Sequence, residues 1–156
     1  MYMKMNISFR KAKESDIKTL VEIYDKSFYA DYVKYGKCPA YGKSEEMMLD
    51  SLRRFPKEII MCDDFPVGVL SVEDKGNGIY YVGCLCVIPE YQGKGIGTMA
   101  VQHMIETRDN WKNFSLITPA DKEENIKFYC EKCGFKLGEK QDDDGVEVVS
   151  FNMNRD

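Results

Sequence analysis

Long apolar runs are missing from this 156-residue chain: no stretch approaches the length of a membrane span. The opening residues Met1-Tyr2-Met3-Lys4-Met5-Asn6 also lack the apolar centre of a signal peptide, so the expectation is a cytoplasmic protein with no membrane partner. Excess positive charge is absent too. Lys and Arg number 22 against 26 Asp and Glu, a net charge of -4 with no basic stripe, which excludes duplex nucleic acid as an expected partner. Histidine is nearly absent: the single His103 sits well inside a helical segment, where a surface or packing role is expected. No linker, internal repeat or low-complexity segment appears, so one domain over residues 1–156 is expected, with 44% hydrophobic residues to build its core.

Cysteine is present six times, yet without the spacing of a metal site. Cys130-x-x-Cys133 lies at a helix C-terminus, whereas redox pairs work at an N-terminus, where the macrodipole lowers the thiol pKa. Cys84 and Cys86 share one face of a strand with no second pair to complete a zinc set, and Cys38 and Cys62 stand alone. No metal is expected.

What is present is a strand, a glycine-rich turn and a helix between Tyr80 and Ile105. Tyr80 to Ile88 is apolar and β-branched, as a central strand should be, and Pro89 ends it. In Gln92-Gly93-Lys94-Gly95-Ile96-Gly97-Thr98 three alternate glycines free the backbone for positive φ, and Ile96, Ala100 and Met104 then fall at helical spacing. Unpaired N–H groups at a helix start, with the positive end of its dipole, suit a phosphate or pyrophosphate. A Walker loop is excluded, since the only Gly-Lys-Ser, at Gly42-Lys43-Ser44, would need glycine at Lys37. The dinucleotide fingerprint fits better through Gly95-x-Gly97-x-x-Ala100 and Asp121, but Pro89 to Lys94 separate its first glycine from the strand.

Val87-Ile88-Pro89-Glu90-Tyr91-Gln92-Gly93-Lys94-Gly95-Ile96-Gly97 resembles the acetyl-CoA-binding motif of the GNAT N-acetyltransferase superfamily, Arg/Gln-x-x-Gly-x-Gly/Ala. Asn125-Ile126-Lys127-Phe128-Tyr129-Cys130-Glu131-Lys132-Cys133-Gly134-Phe135 resembles that family's second signature, Asn followed by Phe-Tyr and then Gly-Phe. The resemblance implies an α/β (α+β) fold with a central mixed sheet flanked by helices, in the order β-α-α-β-β-β-α-β-α-β-β. It also implies acetyl-CoA as co-substrate, with Gln92, Gly93, Lys94, Gly95, Ile96, Gly97 and Thr98 around the pyrophosphate. Main-chain groups of Leu85, Cys86 and Val87 would pair with the pantetheine arm, aided by Asn125 and Phe128, and Tyr129 would protonate the leaving thiolate. Where many relatives carry a strand glutamate as base this chain has Gly83, and Glu73 is the substitute, acting through water. An acetyl-cysteine relay is disfavoured, because the strand cysteines are expected to lack a neighbouring base.

The element order read from the chain follows the same plan. A short strand near Asn6 to Phe9 leads to a helix capped by Ser15, with Ile17, Leu20, Val21, Tyr24 and Phe28 on one face. Phe28 to Tyr41 reads as an aromatic loop, suited to capping the core or to holding an acceptor. Ser44 caps a second helix, with Glu45 and Glu46 in its first turn and Arg53 and Arg54 in its last. Strands follow near Glu58–Cys62 and Val67–Glu73, joined by a turn at Asp63 to Pro66, and later near Phe114–Thr118, Phe135–Leu137 and Val146–Asn152. Ile126, Tyr129, Cys130 and Cys133 mark the buried face of the last helix. The function expected is acetyl transfer to a primary amine, either a small cationic amine or a peptide lysine or N-terminus, by direct attack. A non-catalytic acyl-CoA sensor is the alternative, and a homodimer is compatible with the sequence.

Overall fold

In the computed structural model, which describes residues 5–156, the strand that precedes the glycine-rich turn runs through the middle of a seven-stranded mixed sheet. The elements are β1 (Ile7–Lys11), α1 (Ile17–Tyr35), α2 (Glu45–Arg54), β2 (Lys57–Cys62), β3 (Phe65–Asp74), β4 (Ile79–Val87), α3 (Ile96–Glu106), β5 (Asn113–Pro119), α4 (Glu123–Lys127), β6 (Lys136–Asp143) and β7 (Val146–Asn154). Short 3-10 turns at Glu14–Asp16 and Pro89–Tyr91 and a π-helical turn at Phe128–Lys132 complete them. The sheet order is β1-β2-β3-β4-β5-β7-β6. β4 and β5 pair in parallel, Ile79 to Tyr81 against Asn113 to Ser115, as a helical crossover requires. The chain divides into two compact units, one of residues up to Val72 with Cys84–Ala100, the other of Glu73–Gly83 with Val101–Asp156.

The first unit buries the stripe Ile17, Leu20, Ile23 and Tyr24 of α1 with Met48 of α2 against Ile59, Ile60, Val67 and Val69 of the sheet. Ser44 caps α2 as its chemistry demands, its hydroxyl accepting from the Met47 N–H at 3.1 Å. Ser15 does not cap α1. The chain instead takes a 3-10 turn, because Asp16 is committed elsewhere: its carboxylate accepts a two-pronged bond from the Arg10 guanidinium (2.8 and 3.0 Å) and another from the Lys13 N–H. The expected aromatic loop is also shorter than its tyrosines suggest. Phe28 to Tyr35 continue α1, and the chain leaves the helix at Gly36 (φ +72°), whose N–H reaches the Tyr32 carbonyl. Phe65 and Pro66, expected in a turn, belong to β3, opposite a register shift at Ile60/Met61 where the ladder adjusts around the proline.

The second unit is organised on aromatic contacts. Tyr80 and Trp111 pack on Phe114 at centroid distances of 5.4 and 5.1 Å, and Tyr129 packs on Phe135 and Phe151 at 5.6 and 5.3 Å. β6 extends to Asp143, well past the expected Leu137, since its pairing with β7 satisfies the backbone although all eight of its residues are exposed. A two-residue turn at Asp144-Gly145, both at positive φ, joins them.

The Arg10 fork holds the Asp16 carboxyl below the usual carboxylate range. A depressed carboxylate stabilises the fold above its unfolded-state pKa and loses that contribution as pH falls through its folded value. Asp16→Asn should therefore lower stability at neutral pH, by no more than about 1 kcal/mol for a partly exposed pair. Urea midpoints of variant and wild type should converge in acid; a gap that persists there would assign the effect to packing.

Candidate active site

The turn after β4 is tied down at its start and open at its end. Ile88 donates its N–H to the Val67 carbonyl, then Tyr91 and Gln92 donate to Ile88 and Pro89 in a single 3-10 turn. The Gln92 side chain reaches back to the Val87 carbonyl at 2.8 Å, fastening the turn to the end of the strand. Gly93 (φ +77°) and Gly95 (φ +83°) then take left-handed conformations, and a Cβ built at either would meet nothing within 4 Å. The first recorded bond of α3 runs from Met99 to the Gly95 carbonyl. Among the described residues, the backbone N–H groups from Gly93 to Thr98 donate to no protein acceptor. Ile96, Ala100 and Met104 are buried and fix the helix while this row of donors stays open. The residues therefore fit a phosphate or pyrophosphate group.

The same unit holds Leu85, Cys86 and Val87. Leu85 and Val87 are half-buried, whereas the Cys86 side chain lies in the core under α1. β3 approaches this stretch so closely that a Cβ on Gly68 would strike the Cys86 carbonyl oxygen. That side of the strand also contains what the sequence reading missed. Lys57, only 4% exposed, reaches Ser71 Oγ at 3.4 Å and lies over the Tyr24 ring at 5.9 Å, within electrostatic reach of Cys84. Lys57 is a cationic neighbour that the sequence reading did not place there, not the general base whose expected absence disfavours a cysteine relay. Lys57 alternates with Ile59 along β2, and this period-2 pattern was the available signal for an inward lysine.

The second unit carries the remaining candidates. Glu73, at the end of β3, is half-buried and acts with Asp143 on the phenol of Tyr81; burial first, then these two carboxylates, push that phenol's pKa up. Nothing local in the sequence links Asp143 to Tyr81, because a long hairpin brings them together. Asn125 and Phe128 are half-buried, and the Phe128 N–H donates to the Asn125 carbonyl. Tyr129 is buried, its ring against Phe128, Phe135 and Phe151.

The last helix departs from a regular α-helix. Cys133 donates to the Phe128 carbonyl five residues back, a π-turn, and Phe135 donates to the carbonyl of Tyr129. The widened turn leaves Tyr129 buried, while Ile126, Cys130 and Cys133 are only partly so, which corrects the expected four-residue face. Burial pushes the Cys133 thiol up to about 11, the reverse of a redox-active cysteine.

The model of the family described as "Acetyltransferase (GNAT) family" matches residues 17–135. No curated protein matches at a significant level. Among solved structures, an acetyltransferase from Thermus thermophilus is 14% identical, with a TM-score of 0.78 over 96% of this chain and 97% of that one. The PaiA N-acetyltransferase of Thermoplasma acidophilum, in complex with coenzyme A, is 20% identical, with a TM-score of 0.74 over 94% and 98%. The yncA structure from Salmonella typhimurium, with acetyl-CoA, is 15% identical, with a TM-score of 0.73 over 96% and 94%.

Proposed function

Since the chain belongs to the acetyltransferase (GNAT) family and is an N-acetyltransferase, we propose that it moves acetyl from acetyl-CoA to a primary amine by direct attack in a ternary complex, as one catalytic domain. The observation that carries this reading is the run of open amides from Gly93 to Thr98 beside two left-handed glycines with free space at their Cβ positions. Those amides, with Gln92 and Lys94 flanking, hold the pyrophosphate. Leu85, Cys86 and Val87 offer main-chain groups to the pantetheine arm, and Asn125 and Phe128 contribute to the same arm. A backbone N–H aimed at the thioester oxygen stabilises the developing oxyanion, an effect of about 3 kcal/mol in comparable sites. Bound acetyl-CoA supplies the acetyl thioester.

Proton traffic falls to two residues. An alkylamine has a pKa near 10.4, so only about one molecule in 10³ is a nucleophile at neutral pH unless a group accepts its proton. Glu73 takes that proton through water, in the place of the glutamate that Gly83 lacks. Tyr129 donates to the departing thiolate. The acceptor is a small cationic amine or an exposed lysine. The exposed Tyr29 and Tyr32, with Tyr41 stacked on Tyr32 at 4.6 Å, supply aromatic faces, and the net charge of -4 favours a cation.

Three measurements test the reading. Gly97→Val places a branched side chain in the first turn of α3, where the backbone is ordinary, so the variant should fold yet lose CoA binding in titration calorimetry. Equal affinity would refute the cradle. Tyr129→Phe should keep CoA affinity and lower kcat about 10²-fold, the low end of general-acid assistance, since a thiolate already leaves well. Unchanged kcat with chemistry rate-limiting would return Tyr129 to a packing role. Across polyamines, aminoglycosides, amino acids and lysine peptides, free-CoA release should be fastest with polycations, and their KM should rise with ionic strength. Activity confined to neutral or acidic amines would refute the cationic acceptor, and CoA binding without release from any amine would leave a sensor.

A further inference from the structure

In the first unit, one stripe of α1 carries a carboxylate followed by two tyrosines. Asp25, Tyr29 and Tyr32 succeed one another at four and three residues, so their side chains stand in a row along the helix. The segment after α1 lies on that row. Gly42 donates its N–H to Asp25 Oδ1 at 2.8 Å, and the Tyr41 ring meets both helical tyrosines, 4.6 Å from Tyr32 and 5.8 Å from Tyr29. Tyr41 is nearly parallel to Tyr32 (17°) but tilted against Tyr29 (52°), so the three rings make a corner rather than a flat stack. Tyr29 and Tyr32 remain 57% and 43% exposed, while Tyr41 and Asp25 are half-buried. Asp25 uses one oxygen on Gly42, and among the described residues the other has no partner. Among the described residues, the cations that sit over rings are Lys34, Lys57, Lys75, Arg108 and Arg155, and none sits over these three tyrosines. The faces of an aromatic ring are its negative regions, so open ring faces beside a carboxylate attract an ammonium more than a neutral group.

We propose that this corner binds the distal ammonium of an elongated acceptor, a linear diamine or polyamine whose other amine is acetylated. The inference rests on the acetyltransferase reading and narrows its acceptor from cationic amines in general to amines with two well-separated charges. The separation follows from the helix. Tyr24 belongs to the buried cluster against which Cys84, Leu85 and Val87 of β4 pack, and that strand is the one proposed to hold the thioester arm. Tyr32 lies eight residues further along α1, about 12 Å of helix. A compact monoamine seated at β4 leaves the corner unused. A chain with an ammonium at each end engages both, with Asp25 supplying the charge pairing and the tyrosines the contact surface.

Choline and its neutral carbon isostere dimethylbutanol, neither of which has an amine to acetylate, separate ammonium capture from catalysis. In titrations of the full chain with isotope-labelled tyrosine rings, choline should shift the Tyr29, Tyr32 and Tyr41 resonances saturably, and the isostere should bind at least about threefold more weakly. Tyr32→Leu keeps an apolar side chain and Asp25→Asn keeps the shape; each should weaken choline towards the isostere. With acetyl-CoA and α,ω-diamines of increasing length, kcat/KM should rise above that of the alkylamine of equal length, chiefly through KM. Both variants should lower that diamine-to-monoamine ratio about threefold or more. If no amine is acetylated yet choline binds, the acetyltransferase reading fails and the ammonium site stands. Choline and isostere binding alike, shifts confined to other tyrosines, or equal kcat/KM for long diamines and matched monoamines would each overturn the proposal.

Discussion

Everything at the candidate site depends on one constraint: the first N–H groups of α3 have no helical carbonyl to bond to, and the turn before them supplies none. In most helices a Ser, Thr or Asp side chain absorbs part of that deficit, as Ser44 does for α2. Here Gly93 and Gly95 stand in the turn and offer no side chain. The open donors are tolerable because they face solvent, and they stay aligned because Ile96, Ala100 and Met104 are driven into the core, the two larger side chains each worth about 1.5–3 kcal/mol of burial. A fixed row of donors needs little reorganisation when an anion arrives, so what would be a defect in a packed helix end is an asset at a binding turn.

The buried polar cluster under α1 shows a different solution to a similar difficulty. An isolated ammonium as enclosed as Lys57 would be costly, and burial accordingly lowers its pKa. Ser71 Oγ and two aromatic rings share the task of replacing its water. None is a carboxylate, so the charge is softened rather than neutralised. An ammonium compensated in this way remains able to act on its neighbours.

The parts of this structure legible in the sequence are those decided within a few residues. The α2 cap, its charged ends, the glycine turn and the apolar stripe of α1 each follow from local chemistry, and the element order follows from them. What was hidden is decided at a distance. Ser15 looks like a cap until Arg10, from another element, claims Asp16. Phe28 to Tyr35 look like a loop because tyrosine is indifferent to helix, and only the left-handed Gly36 marks the true end. The proximity of Glu73 and Asp143 to Tyr81, and of Lys57 to Cys84, depends on strand pairing that no short window contains.

The π-turn at Phe128–Lys132 is the least legible feature and the one with the most direct bearing on chemistry. One residue more than an α-helical turn allows is accommodated where Cys133 bonds back to Phe128, and Gly134 then turns at φ +83° so that Phe135 can bond to Tyr129. Such a widened turn costs hydrogen-bond geometry and persists only where packing over-determines it. Here the packing is three rings, Phe128, Phe135 and Phe151, around one phenol. A tyrosine held on three sides loses little freedom on meeting a substrate, which suits a group proposed to deliver a proton along one direction. A regular helix through the same residues would turn Tyr129 about 100° relative to those that follow it and forgo the bond from Phe135. The irregularity and the aromatic cage are therefore parts of one arrangement, set by the placement of a single side chain.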